Sequence, residues 1–360
     1  MYKKLQNILK QYSFLLVFIS SFLTAQRNTN QIDVNIFIQK HSSEFPGFSY
    51  AVIQNGEIIE NKNFGLANLN NKQKAQNNTN YRLASVTKQF TAFAVLMLID
   101  KGKLSLTTNL TDIFDDFPEY GKKITIQQLL THTSGLLDYE NLMNDNRTDP
   151  ILDKEVLHLL KEQDSTKFVP GSKYDYSNSA YAVLAQIIEK ISGKTFKYFI
   201  ETEIFKPLKM KNSVVYTRDT KIKNRAYGYI VRNDSIIFND QSMTSSVQGD
   251  GGIYTSINDY YKWDQALENN TLLSEKLKNK AYSIQSKINE SEWDYGYGWR
   301  IKYDKNTKII SHSGHTCGFT NYVVKIPKQR LTIVLFSNRK NDDLIIKFGD
   351  LLLKKYANMN

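Results

Sequence analysis

The order of strand-like and helix-like segments constrains the fold of this chain more than any other feature of its sequence. Two strand-like runs joined by Asn55-Gly56 begin near residue 48, and four more occupy residues 295–338. Asn-Gly between alternating apolar residues is typical of a β-hairpin, because both residues tolerate a positive φ. Helix-like segments fill most of residues 104–245. We therefore predict an α/β (α+β) fold, with an antiparallel sheet built from both terminal segments, flanking helices and an inserted, mostly helical region.

Apolar periodicity and glycine or proline punctuation predict the helices. Their expected positions are about 125–131, 151–162, 177–192, 195–205 and 342–357. The glycine-rich stretch 249–256 is predicted to be a flexible turn, after which Ser256 and Asp259 resemble a capping box that starts another helix. An Asn-rich loop is predicted near residues 68–80.

The first 25 residues carry the pattern of a secretory signal peptide. Three lysines in the first ten residues precede the apolar run Phe14–Leu23, which a small residue, Ala25, follows. That run is too short to span a bilayer, which requires about 20 apolar residues. We expect residues 1–25 to be removed and residues 26–360 to form one domain with its helical insertion at about 104–245. An uncleaved N-terminal anchor is the alternative.

Composition excludes several classes of site. The chain has 360 residues, 41% of them hydrophobic, so it can bury a large core. A single cysteine, Cys317, cannot form an internal disulfide, and the five histidines do not show zinc-site spacing, so neither a metal nor a cofactor is predicted. The formal charge of +11 either favours binding to anionic surfaces or reflects lysines spread evenly over the surface of the protein. No dense basic run or RNA-binding motif indicates a nucleic-acid partner.

The stretch RLASVTKQFTAF places Ser85 and Lys88 three residues apart, immediately before the almost wholly apolar run 89–99. Apolar residues on nearly every face predict a buried helix, with both side chains on one face at its N-terminus. A desolvated lysine amine can remove the serine proton and make the hydroxyl a nucleophile. A solvated lysine is the alternative. A second S-x-x-K copy, at 337–340, enters a polar loop and lacks a buried helix.

Two further motifs contain polar groups suited to the same chemistry. Tyr176-Ser-Asn178 opens a predicted helix, where a tyrosine can relay protons and an asparagine can bond both a lysine and a substrate amide. His312-Ser-Gly314 ends a predicted strand, where glycine permits a close backbone approach and histidine can donate to a substrate carboxylate or to the tyrosine. A helix cap and an ordinary turn histidine are the alternatives. Other Y-x-N copies occur at 139–141 and 356–358.

In this order, the three motifs resemble those of the serine β-lactamase and penicillin-binding-protein superfamily. The tyrosine in the middle motif is similar to that of class C β-lactamases and related D,D-peptidases and esterases. The segments LLTHTSGL, PGSKYDYSNSAY, GDGGIYTS and YGYGW are also similar, so the resemblance covers about residues 45–340. It implies a β-lactamase/transpeptidase-like fold.

The resemblance implies catalytic roles for three side chains. Ser85 would be the acylated nucleophile, while Lys88 and Tyr176 would share general-base and proton-relay work. The oxyanion hole would consist of the backbone N–H groups of Ser85 and His315.

The resemblance also implies substrate-binding positions. Asn178 would position the substrate amide, His312 stands where many relatives have lysine, and Gly314 would keep its strand accessible. His132, in LLTHTSGL, is expected to be structural.

Taken together, the resemblance implies an exported serine hydrolase that acts through an acyl-enzyme on D-amino-acid peptides, amides or small esters. A class C-like β-lactamase is one alternative, although histidine in the late motif is only partly charged near neutrality. A non-catalytic penicillin-binding or sensor module is another. The expected partner is a small-molecule or peptide substrate, including cell-wall-derived ones. We also expect a secreted or periplasmic monomer with no transmembrane span after signal removal.

Overall fold

The computed structural model describes residues 44–232, 235–340 and 343–358. The predicted signal peptide, residues 1–25, lies outside the described residues.

The strands of the described residues form one large sheet and three small ones. In chain order they are β1 (Phe48–Gln54), β2 (Glu57–Phe64), β3 (Leu66–Asn68), β4 (Gln73–Lys74), β5 (Tyr81–Arg82), β6 (Val214–Val215), β7 (Tyr229–Arg232), β8 (Ser235–Phe238), β9 (Ile253–Thr255), β10 (Asp294–Tyr295), β11 (Arg300–Asp304), β12 (Thr307–Thr316), β13 (Phe319–Ile326) and β14 (Leu331–Ser337). The large sheet has the order β10-β11-β12-β13-β14-β1-β2. Every neighbouring pair in it is antiparallel. The predicted sheet from both terminal segments is confirmed.

The α-helices of the described residues lie mainly between the two groups of strands. They are α1 (Lys88–Asp100), α2 (Leu110–Ile113), α3 (Ile126–Leu130), α4 (Tyr139–Leu142), α5 (Asp153–Lys161), α6 (Asn178–Ser192), α7 (Phe196–Phe199), α8 (Ile257–Glu268), α9 (Glu275–Ala281) and α10 (Asp343–Tyr356). A π-helical turn, Ile200–Phe205, follows α7, and 3-10 turns cover Ala84–Thr87, Glu119–Lys123 and Pro327–Gln329. These bounds confirm the five predicted helices to within a few residues.

The central strands β1, β13 and β14 of the large sheet are buried on both faces. Successive side chains of a strand point to opposite faces, so β14 divides its apolar residues between two cores. Ile333 and Leu335 pack with Phe348 of α10 in one core. Val334 and Phe336 join the larger core on the other face, which contains the inserted helices. The sheet is therefore the middle layer between the C-terminal helix and the inserted region.

Helix α1 is buried on all sides, as its apolar sequence predicts. Every residue from Lys88 to Leu98 is buried. The ring of Phe90 stacks on Trp263 of α8 with a centroid separation of 4.3 Å. A helix enclosed in this way has no freedom to rotate, so the side chains at its N-terminus hold fixed positions.

A cluster of charges lies under the sheet. Lys325 of β13 is completely buried and donates to Asp264, with Nζ 2.7 Å from Oδ1, while Glu268 Oε1 lies 2.9 Å from the same Nζ. Thr332 of β14 also donates to Asp264 Oδ1. One cation thus pairs with two carboxylates of α8 and ties that helix to the sheet.

Three local predictions differ from the structure. Residues 214–238, predicted within the helical region, contain β6 and the β7–β8 hairpin, where apolar residues such as those of YIVR and SIIF follow strand patterns. The run YGYGWRIKY is divided between β10 and β11. The chain turns between them at Gly298, which has φ +75° and packs against the backbone oxygen of Lys88. The stretch 249–256 is a turn only up to Gly252, and Ile253–Thr255 forms β9.

Other local predictions are confirmed. Asn55 and Gly56 both have positive φ, of 53° and 86°, between β1 and β2. Ser256 caps α8, because its Oγ accepts a hydrogen bond from Asp259 N. The Asp259 side chain instead accepts from Asn212 N and Ser213 N, so it does not complete the capping box.

Candidate active site

Ser85 lies in a 3-10 turn that leads directly into α1. The preceding residue, Ala84, has φ +50°, a conformation that costs an L-residue about 1–2 kcal/mol. Such backbone strain is concentrated at functional sites, where the surrounding structure holds it in place. Ser85 itself is half-buried, whereas both neighbours in the turn are buried. The turn therefore presents the Ser85 hydroxyl at the edge of an otherwise closed core.

Lys88, the first residue of α1, is completely buried and its amine has three polar neighbours. Its Nζ lies 3.2 Å from Ser85 Oγ, 2.9 Å from Asn178 Oδ1 and 3.0 Å from the backbone oxygen of Asp250. It also lies over the ring of Tyr176, 4.9 Å from the centroid. The structure therefore brings the serine, lysine, tyrosine and asparagine predicted from two of the three motifs into one site.

The middle motif lies at the N-terminus of α6, which begins at Asn178. Ser177 caps this helix, because its Oγ accepts from Ala180 N. The Tyr176 hydroxyl is buried and has no hydrogen-bond partner among the described residues. A buried, unpartnered hydroxyl is costly unless a ligand or water completes its bonding. Tyr176 therefore has unused donor and acceptor capacity beside Lys88.

Asn178 is held from both ends of its amide. While Oδ1 accepts from Lys88, Nδ2 donates to Glu140 Oε1 at 2.9 Å, which fixes the orientation of the amide. Glu140 is exposed and belongs to the Y-x-N copy at 139–141, which was predicted to be unrelated to the site. Glu140 was not predicted from the sequence, because this segment was considered only as a copy of the Tyr176 motif. Its neighbour Tyr139 also contacts the site, with its hydroxyl 3.4 Å from Asp250 Oδ2.

The loop that supplies the Asp250 carbonyl is held by a buried carboxylate. Asp153, at the start of α5, accepts from Gln248 N at 2.8 Å and from Gly249 N at 3.0 Å. Burial raises the pKa of Asp153 to about 7. Burial also raises the pKa of Asp250 to about 6, although the positive charge of Lys88 opposes the shift. The glycine-rich segment thus contributes a fixed acceptor for the lysine amine.

His312 is buried behind the site and both of its ring nitrogens are occupied. Nδ1 lies 2.7 Å from Ser313 O, and Nε2 lies 3.0 Å from the hydroxyl of Tyr295. A carbonyl only accepts, so Nδ1 carries the proton and Nε2 accepts from Tyr295. Burial, together with the charges of Arg300 and Lys88, holds the pKa of His312 well below its usual range. The imidazole is therefore neutral, and it bonds Tyr295 where sequence reasoning had suggested Tyr176 or a substrate carboxylate.

Gly314 allows β12 to pass directly beside the nucleophile turn. A Cβ at this position would lie 2.2 Å from Leu83 O and 3.1 Å from Ser85 N, so only glycine fits. The next residue, His315, pairs with Thr320 of β13 and has an exposed side chain. Its assignment to the oxyanion hole rests on this close approach of the strand and stays a prediction.

Arg300 is a second residue that sequence reasoning missed. It begins β11, opposite Ser311 of β12, and its Cζ lies 5.9 Å from the centroid of the Tyr176 ring. Among the described residues, no hydrogen bond or ion pair satisfies its guanidinium. In the sequence it is marked only as an arginine directly after YGYGW. The sequence does not give the register of this segment against the H-S-G strand, so the position of Arg300 could not be predicted. The site therefore contains a half-buried, permanent cation without a carboxylate partner.

The described part of the chain contains no group of three potential metal-ligating side chains. None of the helices in the same residues is long and apolar enough to cross a membrane.

Comparisons with known proteins agree with this fold. The profile of the Beta-lactamase family matches residues 34–349. Penicillin-binding protein 4* of Bacillus subtilis (strain 168) is 32% identical over 320 residues, which cover 84% of this chain and 70% of that protein.

Two solved structures extend the comparison. The octameric penicillin-binding protein homologue from Pyrococcus abyssi has a TM-score of 0.78 at 25% identity, covering 91% of this chain and 77% of that one. D-amino acid amidase from Ochrobactrum anthropi SV3 has a TM-score of 0.77 at 22% identity, covering 91% and 98% respectively. At that identity, the amidase shares the fold.

Proposed function

Because this chain belongs to the beta-lactamase family, we propose that it is an exported serine hydrolase that acts through an acyl-enzyme on an amide or ester. The observation that carries the proposal is the 3.2 Å contact between Lys88 Nζ and Ser85 Oγ in a buried setting. D-amino-acid peptides, their amides and small esters are the proposed substrates.

The partners of Lys88 suit a base. Asn178 Oδ1 and the Asp250 carbonyl can only accept hydrogen bonds, so they occupy two N–H groups of the amine. The third partner, the Ser85 hydroxyl, can also donate. When the amine gives up a proton for the reaction, its two remaining N–H groups satisfy both acceptors and its lone pair faces the Ser85 proton. This arrangement orients the lone pair toward the proton that it must remove.

The proposed reaction begins as Ser85 Oγ attacks the substrate carbonyl carbon and its proton passes to Lys88 Nζ. The carbonyl π electrons move to oxygen, where backbone N–H groups of Ser85 and His315 stabilise the charge. The tetrahedral intermediate collapses, and the leaving nitrogen or oxygen receives a proton through Tyr176 or Lys88. Water then attacks the carbonyl carbon of the acyl-enzyme ester and loses a proton to the same pair of groups. The bond from that carbon to Ser85 Oγ breaks, the acyl group leaves as a carboxylic acid, and Oγ takes the proton back from the pair.

Arg300 is the proposed anchor for a substrate carboxylate. The buried His312 is neutral, so it supplies no charge for an anion, whereas Arg300 lies beside Tyr176 and has no acidic partner among the described residues. A guanidinium can bond both oxygens of a carboxylate. We therefore favour peptides with a free C-terminal carboxylate over neutral esters as the preferred substrates.

Replacing Arg300 with methionine should separate these substrate classes. We expect kcat/KM for a D-alanyl-D-alanine peptide to fall about 10–100-fold, the value of a hydrogen bond to a charged group. Turnover of a neutral ester with the same acyl group should stay within about threefold, because the ester lacks the carboxylate. Steady-state kinetics on both substrates provide the measurement.

Arg300→Lys is the matched control for charge without the planar donor pair, and it should give an intermediate loss on the peptide. Equal losses on peptide and ester in Arg300→Met would show that Arg300 supports the site as a whole, and would contradict carboxylate binding.

A class C-like β-lactamase is the second candidate, favoured by the family itself. The two activities differ in the fate of the acyl-enzyme, since a peptidase-like site keeps a penicilloyl group and a β-lactamase releases it. Intact-mass analysis after exposure to a penicillin, a fluorophosphonate and a panel of esters tests the proposal. A stable adduct on Ser85 favours the peptidase-like reaction, and rapid nitrocefin turnover favours the β-lactamase. A folded sample whose Ser85 reacts with none of these probes would instead be a non-catalytic binding or sensor module.

Export and a monomeric state are also proposed. The support for export is the lysine-rich and apolar pattern of residues 1–25. N-terminal sequencing of protein recovered outside the cytoplasm should show whether residues 26–360 form the mature chain. Light scattering should distinguish a monomer from an assembly such as that of the octameric homologue.

A further inference from the structure

His132 occupies a strained position next to the site. It follows α3 in a turn, has φ +58° and is completely buried. Few L-residues adopt this conformation, and asparagine and glycine do so more readily than histidine. From the sequence alone, His132 is expected to be structural. The contacts of its side chain indicate a more specific one.

Two hydrogen bonds to His132 flank Tyr176 on both sides. Asp175 N donates to the backbone oxygen of His132 at 2.8 Å, and Ser177 N donates to its Nδ1 at 3.0 Å. Between these bonds, the imidazole packs on the ring of Tyr176 with a centroid separation of 4.3 Å and an interplanar angle of 32°. One residue thus fixes the backbone before and after Tyr176 and one face of its ring.

The hydrogen bond from Ser177 N to His132 Nδ1 also sets the start of α6. Ser177 is the helix cap and Asn178 the first helical residue, so the position of Ser177 N determines where the Asn178 amide meets Lys88. His132 therefore acts on two of the groups that surround the lysine amine, although among the described residues it has no hydrogen bond to Ser85 or Lys88.

The protonation state of His132 is fixed by its surroundings. Since Nδ1 accepts from Ser177 N, the proton lies on Nε2, which has no hydrogen-bond partner among the residues described. The ring is enclosed by Tyr174, Tyr176, Tyr181 and Tyr295. Burial, followed by the charges of Lys88 and Arg300, holds the pKa of His132 well below its usual range. A neutral ring keeps the acceptor that Ser177 requires.

We propose that His132 is a positioning residue of the reaction. Through the N–H groups of Asp175 and Ser177, it holds the Tyr176 ring and the Asn178 amide in place against Lys88, without contacting the substrate. This inference rests on the proposed function and names a further residue that the same site requires.

A matched pair of substitutions tests the acceptor at Nδ1. Both His132→Asn and His132→Gly tolerate the positive φ, but only asparagine supplies an oxygen close to the position of Nδ1. We expect His132→Gly to lower kcat on a neutral ester about 100-fold, the effect of a misplacement of about 1 Å. KM should stay within about twofold and His132→Asn should recover about tenfold or more of the lost kcat. Tyr174→Phe, which removes an unpartnered hydroxyl from the same enclosure, should leave kcat unchanged.

Equal kcat values in the asparagine and glycine variants would overturn the proposal. Loss of kcat in both, in parallel with a lowered Tm, would reduce His132 to a structural residue and also overturn it. If His132→Gly does not fold, His132→Gln replaces it, because its amide lies near the Nε2 position. An active asparagine variant beside an inactive glutamine variant of equal Tm then supports the proposal, and equal activities contradict it.

The turnover compared among these variants is the part that is lost in Ser85→Ala. Ester turnover that persists in Ser85→Ala would contradict the proposed function. Failure of the His132 proposal gives a different result. The serine-dependent activity is then present, and it is equal in the two variants of the pair.

Discussion

Replacing Ser85 with alanine is expected to lower kcat on any ester or D-alanyl-D-alanine peptide by about 10⁴-fold or more, as removal of the serine nucleophile does in serine proteases. The reason is geometric. The Lys88 amine lies 3.2 Å from Ser85 Oγ, and its other two polar partners are an amide oxygen and a carbonyl oxygen, neither of which has a proton to give. Without the hydroxyl, no nucleophile remains next to the base.

The chain offers a matched control for this prediction. Ser337 begins the other S-x-x-K copy, but it lies at the end of β14, where its Oγ donates to Gly47 O. Ser337→Ala should therefore retain the turnover of the wild type. Parallel kinetics and intact-mass labelling of both variants provide the measurement. Undiminished turnover in Ser85→Ala, or loss of turnover in Ser337→Ala at unchanged stability, would place the nucleophile elsewhere.

Replacing Lys325 with methionine is expected to lower the free energy of unfolding by about 3–5 kcal/mol at neutral pH. The substitution removes the cation that pairs with the buried Asp264 carboxylate and with Glu268 beside it. Removing one member of a buried pair costs more than the pair itself contributes, since the remaining charge is desolvated. Urea titration followed by circular dichroism provides the measurement.

The pH dependence of this loss follows from the pKa of Lys325. Burial lowers that pKa, but the charges of Asp264, Tyr282 and Glu268 outweigh burial and hold it above the usual value for lysine. The contribution of Lys325 is therefore complete below the unfolded pKa of about 10.4 and is lost only as the pH rises through the folded value. We expect a constant difference between wild type and variant from about pH 6 to 9.

Lys287→Met is the control for the Lys325 substitution. Lys287 also pairs with an aspartate, Asp294, at 2.6 Å, but its side chain is largely exposed. Exposed pairs contribute at most about 1 kcal/mol, so this variant should unfold nearly as the wild type does. A loss of similar size in both variants would contradict the importance of burial.

The predictable part of the site is the part whose geometry is local in sequence. Ser85 and Lys88 are three residues apart on a turn that continues into a helix, so their contact follows from helical geometry once the apolar run marks the helix as buried. The fold class was likewise predictable, because the hairpin has an Asn-Gly turn between two apolar runs, the late strands are short runs separated by turns, and the helices carry caps. These features needed no knowledge of contacts between distant segments.

The missed residues depend on register and packing. Arg300 reaches Tyr176 only because β11 pairs with β12 so that Arg300 faces Ser311, and a shift of one residue would have turned it to the other face. Glu140 joins the site because α4 packs beside the start of α6, and no spacing along the chain indicates that contact. The role of His312 changed for a similar reason, since the Tyr295 hydroxyl that engages it lies in a strand that the sequence did not separate.

The pairing of β1 with β14 has a consequence for the timing of folding. Gly47 and Ser337 are bonded across 290 positions of sequence. At elongation rates of about 5–20 residues per second, the ribosome emits the second partner about 15–60 s after the first. Until then β1 lacks its partner β14, and such large loop closures slow folding further. The central pairing of the large sheet therefore cannot form until nearly all of the described residues have been synthesised.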